Sequence, residues 1–183
     1  MTLRLITAPT VEPVSVETAK SFLRVDQTSD DTLIASLVKA AREKGESMAR
    51  RAFITQTLEQ IFDDWPSDGA FVLWRPSLQS VTSIKYTDFD GVEHTLAASE
   101  YTVDADSQPG KVWIDNTPAE ALADSGGIVI RFVAGYGDAA ANVPERIKLA
   151  ILSLVAYWYE SRDVGAVPQN IRSMFTAERV VWF

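Results

Sequence analysis

FVAGYGDAAANVPERIKLAI, residues 132–151, passes from a strand pattern through Gly135 and Gly137 into a helix opened by Pro144. Strand, glycine loop, helix is also the order in which nucleotide-binding proteins cradle a phosphate, so two readings compete. A dinucleotide fingerprint needs a third glycine, and a P-loop needs Lys followed by Ser or Thr; the stretch has neither. Asp138 sets a negative charge where phosphate would sit, and the helix starts too late for its free N–H groups to meet the glycines. The loop is therefore read as a turn. The helix behind it carries more information. From Ile147 to Tyr159 only Lys148 and Ser153 interrupt the apolar run, so a single buried face does not account for it and cover from several sides is expected.

Upstream of the turn, from Ile54 to Ala134, the period is two. The runs ITQTLEQIF (54–62), AFVLWR (70–75), VTSIKYTD (81–88), VEHTL (92–96), EYTVD (100–104), KVWI (111–114) and GIVIRFVAG (127–135) are rich in Thr, Val, Ile and aromatic residues, as strands are. WPSDG, DFDG, DSQPG and DSGG separate them and supply the Asp, Pro and Gly that tight turns need. Short antiparallel strands follow.

Before this β-rich stretch the period is helical. Ser15 is placed to cap a short helix with Val16, Ala19, Phe22 and Leu23 on one face, closed by Arg24 to Gln27. A long helix follows, with Ser29 as its cap and Asp30 and Asp31 at the positive end of its dipole. Leu33, Ile34, Leu37, Val38, Ala41, Met48 and Ala49 form its stripe; Lys39, Arg42, Glu43, Glu46 and Arg50 cover the other side, with Glu46 and Arg50 spaced to pair. Gly45 costs roughly 1 kcal/mol there against alanine, and reads as a close approach of another backbone or a tolerated weak spot. After the apolar helix, QNIRSMFTAER allows one more short helix.

Composition narrows the chemistry. The 183 residues are 46% apolar, with no cysteine and one histidine, His94. Thiolate nucleophiles, disulfides and Ser–His triads away from His94 fall out. DFDGVE, with Asp88, Asp90 and Glu93, lacks the ligand spacing of a calcium loop and reads as a hairpin turn. Asp63 with Asp64, and Asp104 with Asp106, flank turns where Asp is common. A formal charge of −8 opposes wrapping DNA on a basic surface. LAILSLVAYWY (149–159) falls short of the ~20 residues of a membrane span, and MTLRLITAPTVEP has no export pattern.

Taken in order, LITAPTVEPVSVETAKSFLRVD, DDTLIASLVKAAREKGESMARRAFITQTLE, RPSLQSVTSIKYTDFDG, FVAGYGD with VPERIKLAILSLVAYWYESRD, and VPQNIRSMF resemble the tailed-phage head-to-tail connector (neck adaptor) family, in its members with a β-rich insert. The resemblance implies an α+β fold: a helical connector core of about four helices, from residues 1–53 and 135–183, with an antiparallel β-rich subdomain inserted at 54–134. It implies a structural virion protein of the neck, assembled in the bacterial cytoplasm, with no catalysis, cofactor, metal or membrane. The partners implied are copies of itself in a ring, twelvefold in the virion, a portal protein, a tail or stopper protein, and DNA passing through unbound.

On that basis Ile151, Leu154, Val155, Trp158, Tyr159 and Arg162 are expected at the contact between protomers, because the all-round apolar helix exceeds what one chain hides. Ile171, Met174, Phe175, Val181, Trp182 and Phe183 are expected to meet the portal. Glu43 and Glu46 are candidates to face the channel. FTAERVVWF departs from the basic or proline-punctuated ending expected of the family. The competing readings are another neck or tail-completion protein, and a small-ligand-binding enzyme using the AGYG loop.

Overall fold

The structure, a computed structural model, describes residues 2–118, 122–124 and 126–180. Among the described residues four α-helices and two antiparallel sheets make the chain α+β. It divides into two compact units, one holding Thr55–Gly135 with the residues up to Ala8, the other Pro9–Ile54 with the residues from Tyr136 onward.

The first unit is the β-rich one. Its strands are β1 (Thr2–Thr7), β2 (Gln56–Phe62), β3 (Ala70–Val72), β4 (Leu78–Thr87), β5 (Glu93–Thr95), β6 (Tyr101–Asp104), β7 (Lys111–Ile114) and β8 (Ile128–Ala134). Every period-two run identified in the sequence carries one of them. β1 is an addition: it lies within the stretch assigned to helices, yet it pairs antiparallel with β2. The larger sheet has the order β1-β2-β8-β4-β5 and the smaller one β3-β7-β6. Alternation decides which face is buried. Leu58, Gln60 and Phe62 of β2 and Ile128, Ile130, Phe132 and Ala134 of β8 point inward, while the residues between them are more exposed. The buried Gln60 ties the sheets together, its amide donating to the Val72 carbonyl at 3.1 Å and accepting from the Trp74 N–H at 2.8 Å.

The second unit contains α1 (Val16–Leu23), α2 (Asp31–Ala49), α3 (Glu145–Ser161) and α4 (Gln169–Thr176). Ser15 caps α1 as expected, accepting the Thr18 N–H at 3.1 Å. Ser29 does not cap α2; the cap position is Asp30, to which the Ser29 hydroxyl donates. Pro144 and Pro168 precede α3 and α4, where a missing N–H does no harm. Ile34, Leu37, Val38 and Ala41 of α2, Ile147, Ile151, Leu154, Val155 and Trp158 of α3, and Ile171 and Phe175 of α4 belong to one core.

Gly45 is explained by that core, although the close neighbour is a ring and not a backbone. A Cβ at this position would lie 2.4 Å from Phe175 and 2.9 Å from Phe53, two rings stacked with centroids 6.2 Å apart. The missing side chain admits α4 to the surface of α2.

One turn away, Arg42 is only 3% exposed, and its guanidinium donates to Glu46 at 2.8 Å and to Glu12 at 2.7 Å. The second Glu46 oxygen accepts the Phe53 N–H at 2.8 Å. Burial alone would lower the Arg42 pKa, but its hydrogen bond to Glu12 and the surrounding carboxylates outweigh that and raise it. Glu46 thus pairs with Arg42 and not with Arg50, which takes a left-handed conformation as it closes α2.

Gly45→Ala gains about 1 kcal/mol of helix propensity and loses about 2–3 kcal/mol to overpacking; urea denaturation should show a net loss, smaller in a Phe175→Leu background. Glu46→Ala removes one of the carboxylates that buried Arg42 donates to and takes the acceptor from the Phe53 N–H, and should cost about 2 kcal/mol by the same measurement. An unchanged midpoint in either variant would contradict the corresponding packing.

Candidate functional site: loops, helix margins and carboxylates

The glycine loop turns the chain and has no anion cradle. Gly135 and Gly137 both have positive φ, 141° and 151°, and a Cβ on Gly137 would meet Asn142 at 2.6 Å. Asn142 itself accepts the Ala139 N–H at 3.0 Å, so its side chain organises the turn. Gly135 is held from both sides, its N–H donating to the Ser77 carbonyl and its carbonyl accepting from Gln79.

The other candidates from the sequence are local structure as well. Asp88 closes the β4–β5 hairpin by accepting the Val92 N–H at 2.9 Å, and its other oxygen lies 2.7 Å from His94 Nε2. His94 also stacks on Tyr86. The bond to His94, then that from Val92, lowers the Asp88 pKa below the usual carboxylate range. Asp104 is lowered by the hydroxyl and then the N–H of Ser107, and Asp63 accepts the Gly126 N–H at 2.8 Å. These are turn carboxylates, and among the described residues no three His, Cys, Asp or Glu gather as a metal site. No helix among them is long and apolar enough to cross a membrane.

The expected protomer-contact residues separate into two kinds. Ile151, Leu154, Val155 and Trp158 are buried inside their own unit, because α1, α2 and α4 all pack against α3. The Trp158 indole N–H donates to the Ala166 carbonyl at 2.7 Å, satisfying its one polar group. The premise that α3 outruns its own chain is therefore corrected: three helices supply the cover. Tyr159 and Arg162 remain at the surface. The Tyr159 hydroxyl donates to Asp30 at 2.5 Å, and the Arg162 guanidinium lies 5.2 Å from the Tyr159 ring. That hydrogen bond lowers the Asp30 pKa and raises that of Tyr159. The exposed apolar member of α3 is Leu149, at 50%, which the sequence pattern did not single out.

The expected portal residues divide similarly. Ile171 and Phe175 are core, Met174 is half-buried, and Val181, Trp182 and Phe183 lie outside the described residues. The chain leaves α4 through a clasp. Buried Glu178 pairs with Arg146, its other oxygen lies within 3.4 Å of the Tyr136 hydroxyl, and its carbonyl accepts from Arg51. Of the two acidic channel candidates, Glu43 is exposed, whereas Glu46 is buried with both oxygens bonded inside the unit.

Side chains missed by sequence reading lie beside Leu149. Two hollows of about 360 and 320 Å³ flank the segment Val11–Val16, one reaching Leu149 and Leu152, the other Ala35 and Val38. Phe22 points away from the core its spacing predicted, because α1 is short and only Ala19 is fully covered.

The family model described as head completion protein matches residues 12–169. No curated protein matches the sequence. Among solved structures the chain is similar to one in the neck of an empty gene transfer agent particle computed with C6 symmetry. That likeness has 22% identity, covers 100% of this chain and 97% of that one, and has a TM-score of 0.83. A chain of the virion of the native particle gives 23% identity, the same coverage and a TM-score of 0.82. One in the native neck computed with C12 symmetry gives 22% identity, again the same coverage, and 0.78. These likenesses establish the shared fold, and the family match, which runs through both compact units, establishes the membership: the chain belongs to the head completion protein family and is a structural head-to-tail connector.

Proposed function

We propose that copies of this chain form a ring in the virion neck, below the portal, that joins the filled head to the tail and leaves a passage for DNA. The observation that carries this reading is the family match over residues 12–169. The fold shared with chains of particle necks computed with C6 and C12 symmetry supports it. In this reading the helical unit is the connector core and the β-rich unit is an insert carried by it.

The exposed margin of α3, with Leu149, Tyr159 and Arg162, serves the protomer contact, while Ile151, Leu154, Val155 and Trp158 support it from behind. Met174 and the terminal Val181–Phe183 serve the portal contact. Glu43 faces the channel. A formal charge of −8 per chain, multiplied around a ring, repels phosphates and lets DNA move past without binding.

Particles assembled without this protein should accumulate as DNA-packaged heads and separate tails under negative-stain microscopy; intact tailed particles would overturn the reading. Because Ile171 and Phe175 are core, the informative truncation removes residues 181–183 only. It should leave the thermal midpoint unchanged and abolish co-sedimentation with the portal, and full retention of binding would remove the tail from the contact.

A further inference from the structure

The two margins of the larger sheet are complementary to each other. β1 is exposed on both faces, only Leu3 being partly covered, and Leu5 and Ile6 are 53% and 43% exposed. β2 pairs with its inner side, and among the described residues no strand lies on its outer side. At the opposite margin β5 pairs with Lys85–Thr87 of the ten-residue β4, and the Leu96 N–H that follows it donates to the Ile84 carbonyl. Gln79, Ser80 and Thr82, in the uncovered part, are exposed.

Direction and level both match. β1, β2, β8 and β4 are each antiparallel to the next, so the two open margins run in opposite senses. Two copies set side by side in the same orientation therefore bring β4 of one against β1 of the next as an antiparallel pair. The pairing rows Arg4–Glu59–Arg131–Ser83 and Leu5–Leu58–Phe132–Val81 cross the sheet. Arg4 and Leu5 thus stand level with the part of β4 that β5 leaves free.

An exposed edge with apolar residues invites strand addition, and proteins usually guard it with lysine, proline or bulges. Neither Thr2–Thr7 nor Gln79–Ser83 contains lysine or proline. The register shifts, one in β1 and two in β4, are the guards present, and bulges also add the twist and bend that a sheet needs to curve.

We propose that β1 of one copy adds to the free edge of β4 in the next, a head-to-tail contact that covers Leu5 and repeats around a closed ring. This rests on the ring reading above. The chain has no cysteine of its own, so Arg4→Cys with Ser83→Cys in one chain gives a clean test with a short bis-maleimide. Purified chain, and particles assembled with it, should yield a ladder of covalent oligomers, and each single variant should yield none. Ser83→Lys sets like charges opposite each other and should weaken association by up to about fivefold per contact. Adding Arg4→Glu to that chain should restore it, with circular dichroism confirming that each variant folds. Rings that form without the ladder, or indifferently to Ser83→Lys, overturn this contact and leave the ring standing; absence of rings from both chain and particles overturns both.

Discussion

Helix α3 has almost no polar face, and the helical unit is arranged to enclose it. Ile147, Ile151, Leu154, Val155 and Trp158 turn to different sides and are all buried, with α1, α2 and α4 each packed against the helix. Burial of each such side chain contributes about 1.5–3 kcal/mol, so the cover cannot be loosened cheaply. This explains the glycine in α2, whose missing side chain seats Phe175. It also explains why α4 is core, although its position near the end of the chain suggests a detachable tail.

The consequence for function is a division of labour. Residues that sequence patterns mark as sticky are occupied inside the unit, and in the proposed reading the helix margins and the sheet edges are what is left for contacts with other chains. Tyr159 is held there by Asp30 and Arg162 lies against the Tyr159 ring, and Leu149 stands beside the hollow next to Val14. A surface made of positioned polar groups around a few apolar ones suits a protein that must be folded before it meets its partners.

What the sequence discloses follows from what periodicity measures. Alternation in residues 54–135 locates each strand there because one face is buried, and the Asp, Pro and Gly clusters mark the turns. The same signal is silent on neighbours, so the order β1-β2-β8-β4-β5 is invisible to it. β1 escapes notice because it is exposed on both faces and lacks an inside–outside contrast. The helical position of Glu46, taken alone, places it on the solvent face. Its burial depends on the Phe53 N–H, which comes from outside α2, and on Arg42, which Glu12 from outside α2 also pairs. The loop at Gly135 was legible because an incomplete phosphate motif leaves only the turn.

The sheet margins bear on how a ring would be timed. The part of β4 free to accept a strand is short, and bulges interrupt it, so one edge contact supplies few hydrogen bonds, each worth about 1 kcal/mol net. Two free chains would then separate readily. Chains already gathered on a common platform face a high effective concentration of their neighbours, and each new contact adds to a structure that gains most when it closes. A weak, repeated, directional edge therefore favours assembly at the right place over premature assembly in solution, while the same edge without its bulges would risk open-ended pairing. In this chain the exposed Leu5 and Ile6 provide attraction, and the bulges limit its reach.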